Sequence, residues 1–182
     1  MKDLETTQQW WDRVSNSDDE MVKWLKAQYH GEVTAAERIM GCLITYDEVT
    51  IGSLEETIIV SIVSDELQHA KWVRKLLTAR GITAEVLQKE ERYWNEVLPK
   101  TLEVNTFSYF CAVGHLAETM RLDRISLLAS DDRFEDIAKV MSDIYPDEVF
   151  HARAFKEMST KADIAKAREF HNIGMNAIGL IA

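Results

Sequence analysis

The pattern D-E-x-x-H occurs twice, as Asp65-Glu66-Leu67-Gln68-His69 and as Asp147-Glu148-Val149-Phe150-His151. A Glu and a His three residues apart share one helix face, so each copy offers one oxygen and one nitrogen to a metal ion. Each copy also falls inside an apolar stripe of helical period. Ile59, Ile62, Glu66, His69, Val73 and Leu76 follow one stripe. Ile137, Met141, Ile144, Glu148, His151, Phe155 and Met158 follow the other. Stripe positions face a core, where a carboxylate is costly unless it is paired or metal-bound. A fold that buries both stripes must therefore place something cationic beside both acids.

The helix boundaries are readable. Ser17-Asp18-Asp19-Glu20 is a capping box opening a long helix that runs to about Tyr46, and Ser53-Leu54-Glu55-Glu56 opens a second that ends at Gly81. Asn105 or Thr106 starts a third, reaching about Ala129. Asp132 with Glu135 starts a fourth, ending near Thr160. Between the second and third, Thr83 caps a short helix and Pro99 closes the segment. Short amphipathic helices are expected around Leu4 to Val14 and over Ala162 to Leu180. Seven Gly and two Pro leave little turn material for a strand-rich fold. Two helical hairpins joined by one long crossover is the connectivity of a ferritin-like antiparallel four-helix bundle. Residues 1–182 are read as one such all-α domain, with the four-helix core at about 18–160.

The other two long helices each carry one acid on the apolar face. Leu25, Tyr29, Glu32, Ala36 and Leu43 share a face, as do Cys111, Glu118, Leu122 and Ile125. Glu32 and Glu66 lie about equally far from the turn near residue 50, and Glu118 and Glu148 lie at similar distances from the turn near 131. Glu32, Glu66, His69, Glu118, Glu148 and His151 therefore converge on one layer. One Glu from each of two helices and Glu-x-x-His from the other two is the inventory of a carboxylate-bridged di-iron or di-manganese site.

With these residues in view, the chain resembles the ferritin-like di-iron carboxylate superfamily over about residues 20–160. Gly31-Glu32-x-x-Ala35 resembles the first-helix motif of rubrerythrin-type proteins. Asp65-Glu66-x-x-His69-Ala70 with Gly81 resembles the second helix of bacterioferritins, and the doubled D-E-x-x-H resembles bacterial di-iron monooxygenases. The resemblance implies that Glu32 and His69 serve one iron, that Glu118 and His151 serve the other, and that Glu66 and Glu148 bridge. Fe/Fe is the first expectation, with Mn/Fe and Mn/Mn open, and no catalytic residue is expected beyond these ligands.

Around the ligands, Asp65 and Asp147 are expected to accept hydrogen bonds from the Nδ1–H of the opposite helix's His, in the pairs Asp65–His151 and Asp147–His69. Their alternative is an ordinary solvated acid. Arg121 is the nearest cation that could pair with the acids, and one Arg cannot neutralise four carboxylates. Tyr29 and His115, each one turn from a ligand, are candidate outer hydrogen-bond partners, although core packing explains both. His30 and His171 are read as surface residues. Pro146 should kink or bulge the fourth helix beside Glu148. The five Trp are read as packing residues.

An O2- or peroxide-activating oxidase or oxygenase acting on a small apolar substrate is the first functional expectation. Phe107, Tyr109, Phe110, Cys111 and Gly114 could line its pocket, and an external donor would supply electrons. The alternative is a ferroxidase or iron-storage protein without haem. The crossover and terminal helices are mass a cage subunit does not need, and Leu67 stands where a bacterioferritin has its haem-binding Met. A rubrerythrin with its rubredoxin module is disfavoured by the presence of only two cysteines, Cys42 and Cys111. A ribonucleotide-reductase radical subunit is disfavoured by Val73. A net charge of −10 argues against nucleic acid and anionic membranes. The absence of an apolar leader or spanning run points to the cytoplasm. A homodimer is the expected assembly, and the apolar stretch Ile173 to Ala182 either covers the bundle or makes that contact.

Overall fold

A computed structural model describes residues 4–87 and 92–180. The described residues form α1 (Thr7–Ser15), α2 (Asp18–Thr45), α3 (Leu54–Ala79), α4 (Arg92–Val104), α5 (Phe107–Ala129), α6 (Glu135–Glu157) and α7 (Lys161–Ala177). The long helices α2, α3, α5 and α6 are the bundle, paired as α2 with α3 and α5 with α6.

Side-chain caps fix most of the starts. The hydroxyls of Thr6, Ser17, Ser53, Thr106 and Thr160 accept from backbone N–H groups three residues on, satisfying donors the first turn leaves unpaired. Asp18, Asp19 and Glu20 on α2, and Glu55 and Glu56 on α3, add negative charge where the helix dipole favours it. Gly81 ends α3 at φ +70°, and Ile82 N–H returns to the Leu77 carbonyl oxygen, so the chain reverses without a Cβ penalty.

Several boundaries differ from the sequence reading. Asp131 caps a 3-10 turn at Asp132–Phe134, and α6 begins only at Glu135. Its far end is Glu157, because Thr160 caps α7 instead. Pro99 does not close the crossover segment but sits inside α4. Residues 82–87 are not helical, so Thr83 caps nothing, and part of that expected helix (88–91) lies outside the described residues. Helix α6 runs unbroken through Pro146 with no π turn. The missing N–H costs the Ser142 carbonyl one helical bond, which is tolerated without a break.

Two apolar clusters fill the bundle ends. One joins Trp10, Trp11 and Val14 of α1 to Leu25, Val73, Leu77, Leu128, Ile137 and Met141. The other joins Ala36, Ile39, Cys42, Ile59, Ile62, Phe107, Cys111 and Phe155. A third packs α4 and α7 on the outer face of α5, through Tyr93, Val97, Tyr109, Leu116 and Ala167. Gly174 makes this docking possible: a Cβ there would lie 2.7 Å from the Tyr93 ring. Ile178 packs into the same cluster and Leu180 is buried, so the described part of the C-terminal stretch covers its own bundle. Helices α3 and α6 pack against each other, whereas α2 and α5 make little direct backbone contact. The α2–α5 side is where α4 lies across the bundle.

Candidate metal centre

Between the two end clusters lies a polar layer. Glu32, Glu66, His69, Glu148 and His151 are fully buried, and Glu118 is 4% exposed. All six residues singled out from the sequence are thus drawn to one level, because each replaces an apolar residue in its helix's inward stripe.

The contacts place the two imidazoles on either side of one shared carboxylate, Glu148. His69 Nδ1 lies 3.9 Å from Glu32 Oε2 and 3.6 Å from Glu148 Oε1. His151 Nδ1 lies 3.2 Å from Glu66 Oε1 and 3.8 Å from Glu148 Oε2. Glu148 therefore turns one oxygen toward each imidazole. One ligand atom from each of Glu32, Glu66, His69 and Glu148 falls within a 4.8 Å span, close enough to surround a single ion. Glu118 joins from α5 beside Glu148 and His151.

The electrostatics show a cluster short of positive charge. Burial first, and then the Glu148 charge, push Glu118 up to about 8. The same two causes hold Glu66 well above the ordinary carboxylate range. Burial also acts upward on Glu148, but Arg121 and the neighbouring His151 outweigh it and keep Glu148 ionised. Burial alone would lower His151, yet the adjacent Glu148 and Glu66 carboxylates raise it to about 11. Four carboxylates cannot all ionise around one guanidinium and one imidazolium, so the cluster retains protons where cations would otherwise sit.

Among the described residues, nine buried side-chain atoms lack a hydrogen-bond partner, and seven belong to this layer. They are Glu32 Oε2, both oxygens of Glu66 and of Glu148, and Nδ1 of His69 and of His151. Buried polar atoms are almost always satisfied. Unpartnered oxygens and imidazole nitrogens facing a common space are the donor set for two divalent cations, so these residues fit a dimetal site.

The outer aspartates make the cross-helix pairs. Asp147 Oδ2 accepts from His69 Nε2 at 3.1 Å, and Asp65 Oδ2 accepts from His151 Nε2 at 3.3 Å. The nitrogens are the reverse of the expected ones. Nε2, not Nδ1, carries the proton to the aspartate, which leaves Nδ1 facing the carboxylates. On these rotamers the nearer ring nitrogen points to the centre and the distal one crosses to the neighbouring helix.

Other expectations need correction. His30 and His171 are buried, not surface residues: His30 Nδ1 accepts from Leu87 N–H at 3.1 Å, and His171 Nδ1 lies 2.7 Å from the Tyr93 hydroxyl. His115 gives its Nδ1–H to the Ala152 carbonyl at 2.9 Å and is held there by the backbone. Tyr29 packs against the α1-end cluster. The polar neighbour of Glu32 is instead Gln28, whose amide donates to Glu32 Oε1. The spacing of four residues on one helix was the available signal. Arg121 reaches further than its sequence position suggested, with contacts to all four buried glutamates.

Two cavities open on the α2–α5 side. One, of about 170 Å³, is lined mainly by apolar side chains, including Ile39, Val113, Gly114, Phe110, Phe155 and Leu98, and it reaches Glu118. Of the five residues expected to line a pocket, Phe110 and Gly114 do so, whereas Phe107, Tyr109 and Cys111 are core. The other cavity, of about 500 Å³, is more polar and is lined by Gln28, Thr34, Tyr93, Glu118 and Arg121 among others. Among the described residues, no helix is long and apolar enough to cross a membrane.

Comparison with known proteins identifies a family. The family model for rubrerythrin aligns with residues 53–159, which spans α3 to α6 and is more than half of the chain. Neither the curated proteins nor the solved structures provide a match. The cysteine count had weighed against a rubrerythrin, but it bears on a four-cysteine iron module and not on the bundle, which carries the family's signal. A ferritin-like bundle, a buried Glu/His layer suited to two metals and this alignment agree: the chain belongs to the rubrerythrin family.

Proposed function

We propose that this protein is a non-haem di-iron oxidoreductase that uses O2 or peroxide to oxidise a small, largely apolar organic substrate, with electrons from an external donor. The observation that carries the reading is the apolar cavity that ends on Glu118, beside the buried carboxylates. Glu32 and His69 would hold one iron, Glu118 and His151 the other, and Glu66 and Glu148 would lie between them. When bound, such a pair supplies reversible electron transfer to O2 or peroxide.

The chain's own residues account for the rest. Asp147 and Asp65 accept from Nε2 of His69 and His151, so each Nδ1 is aimed inward before any ion arrives, and the second proton that His151 carries would be displaced on ion binding there. Phe110 and Phe155, with ring centroids 6.2 Å apart, line the cavity and keep its wall apolar. Gly114 leaves the space that a side chain would take beside Phe155. Substrate in that cavity would lie against the α5 side of the cluster, the side from which Glu118 projects.

The test is anaerobic loading with Fe(II), followed by metal analysis and exposure to O2 or peroxide with and without small aromatic and alkene substrates. The expected result is two irons per chain, no further uptake, and oxidant consumption that leaves an oxidised organic product. Continued iron uptake into a mineral, with a shell-sized native mass, would replace this reading with a ferroxidase.

A further inference from the structure

Arg121 on α5 makes an unusual set of contacts. Its Nη2 lies 2.7 Å from Glu32 Oε1 and 3.2 Å from Glu148 Oε1, and its Nη1 lies 3.3 Å from Glu118 Oε2 and 3.8 Å from Glu66 Oε2. One guanidinium thus faces one oxygen from each of the four glutamates. Those oxygens include Glu148 Oε1, the one turned toward His69. They are the same groups that would hold two divalent ions, so the cluster cannot give full coordination to both ions and keep the guanidinium among them. Charge argues the same way. Four carboxylates attract a lone guanidinium strongly inside the bundle, but two divalent ions in the same layer would repel it.

Resting on the dimetal reading above, we propose that Arg121 is an internal counter-cation that exchanges with the metals. In the metal-free protein it bridges the glutamates and relieves their repulsion. On loading, the guanidinium withdraws along the α2–α5 side. It has room to do so: the side chain is 21% exposed and borders the 500 Å³ cavity, whose lining includes Gln28, with an amide oxygen able to accept. Two consequences follow. The metal-free bundle stays folded despite four buried acids, and metal affinity is set by competition with a tethered cation as well as by the ligands.

The experiment compares wild type, R121Q and R121K in Mn(II) titrations, with bound Mn(II) read by EPR and thermal unfolding recorded with and without metal. Mn(II) does not require turnover, so binding is separated from activity. R121Q should bind Mn(II) about tenfold more tightly or better, because the competent state no longer has to displace the guanidinium. Its metal-free form should melt earlier, and its loaded form should melt near the loaded wild type. R121K keeps the charge without the fork and should fall between the two. It also keeps the comparison readable if metal-free R121Q does not fold. Weaker Mn(II) binding by R121Q, or equal binding with equal metal-free stability, would overturn the exchange and make Arg121 a fixed support of the loaded site. Absence of Mn(II) uptake by all three proteins would instead overturn the dimetal reading on which the exchange rests.

Discussion

Asp147 of α6 reaches across the bundle to His69 of α3, with Oδ2 3.1 Å from Nε2. Asp65 of α3 returns the contact to His151 of α6 at 3.3 Å. Each D-E-x-x-H segment therefore orients the imidazole of the other, and the two helices cannot shift relative to each other without disturbing both. Replacing the acceptor by an amide weakens the hold on the proton and the ring. D147N and D65N are each expected to lower metal affinity by about 10–100-fold with the fold intact. Metal titration with circular dichroism of the same samples checks this.

The carboxylates predict how the metal-free protein responds to pH. Burial and Glu148 raise Glu118 from 4.5 to about 8 in the folded state. A raised carboxyl binds its proton more tightly when folded, so its contribution is fully present below about 4.5 and is lost as pH rises through 8. Metal-free protein should therefore melt progressively earlier between pH 5 and pH 8, and E118Q should flatten that slope. Glu148 shifts the other way, which affects stability only as pH falls below its ordinary value. Loaded protein should lack the 5–8 slope, because metal in place of protons removes the linkage. Thermal melts across that range, with and without metal, distinguish these outcomes.

Gly114 tests the cavity. A Cβ at this position would meet the Phe155 ring at 3.0 Å, and Phe155 is fully enclosed. G114V should occupy space at the cavity wall and cost about 1–3 kcal/mol of stability by overpacking. Two metals should still bind, since no ligand moves, while oxidation of an organic substrate should fall sharply. Denaturant unfolding, metal analysis and product yield measured on one preparation read the three effects separately.

Gly174 tests the docking of α7 on α4. A Cβ there would come within 2.7 Å of Tyr93 Cδ2 and 3.2 Å of the Tyr93 carbonyl oxygen. G174A should destabilise the protein by about 1–3 kcal/mol. It should also loosen the Tyr93–His171 hydrogen bond, now 2.7 Å. Faster amide exchange in α4 and α7, with α3 and α6 unchanged, would identify the loss as local.

The bundle and its six buried Glu and His residues were legible because one rule governs both. A polar residue in an otherwise apolar stripe is conspicuous, and Glu66, His69, Glu148 and His151 lie in stripes extended enough to leave no doubt about the inward face. The less legible features depend on contacts between segments far apart in sequence. His30 looked like a surface residue on α2 because nothing local shows that the backbone of Leu87 covers it. His171 looked the same because its partner, Tyr93, lies on the crossover helix. Pro99 was read as a terminator from local propensity, but packing of α4 on α5 and α7 sustains the helix across it. The choice of imidazole nitrogen was out of reach, since rotamers and not spacing decide which one faces the acids.

The placement of α4 also separates two properties of the molecule. It supplies Trp94, Leu98, Thr101 and Leu102 to the apolar cavity and contributes none of the six residues of the buried Glu/His layer. Its main anchorage is to α7 and the outer face of α5, away from the α3–α6 contact that holds the imidazoles in place. The crossover is thus an interchangeable wall. Its inner face can be redrawn, and the cavity reshaped, while the buried Glu/His layer behind it stays the same.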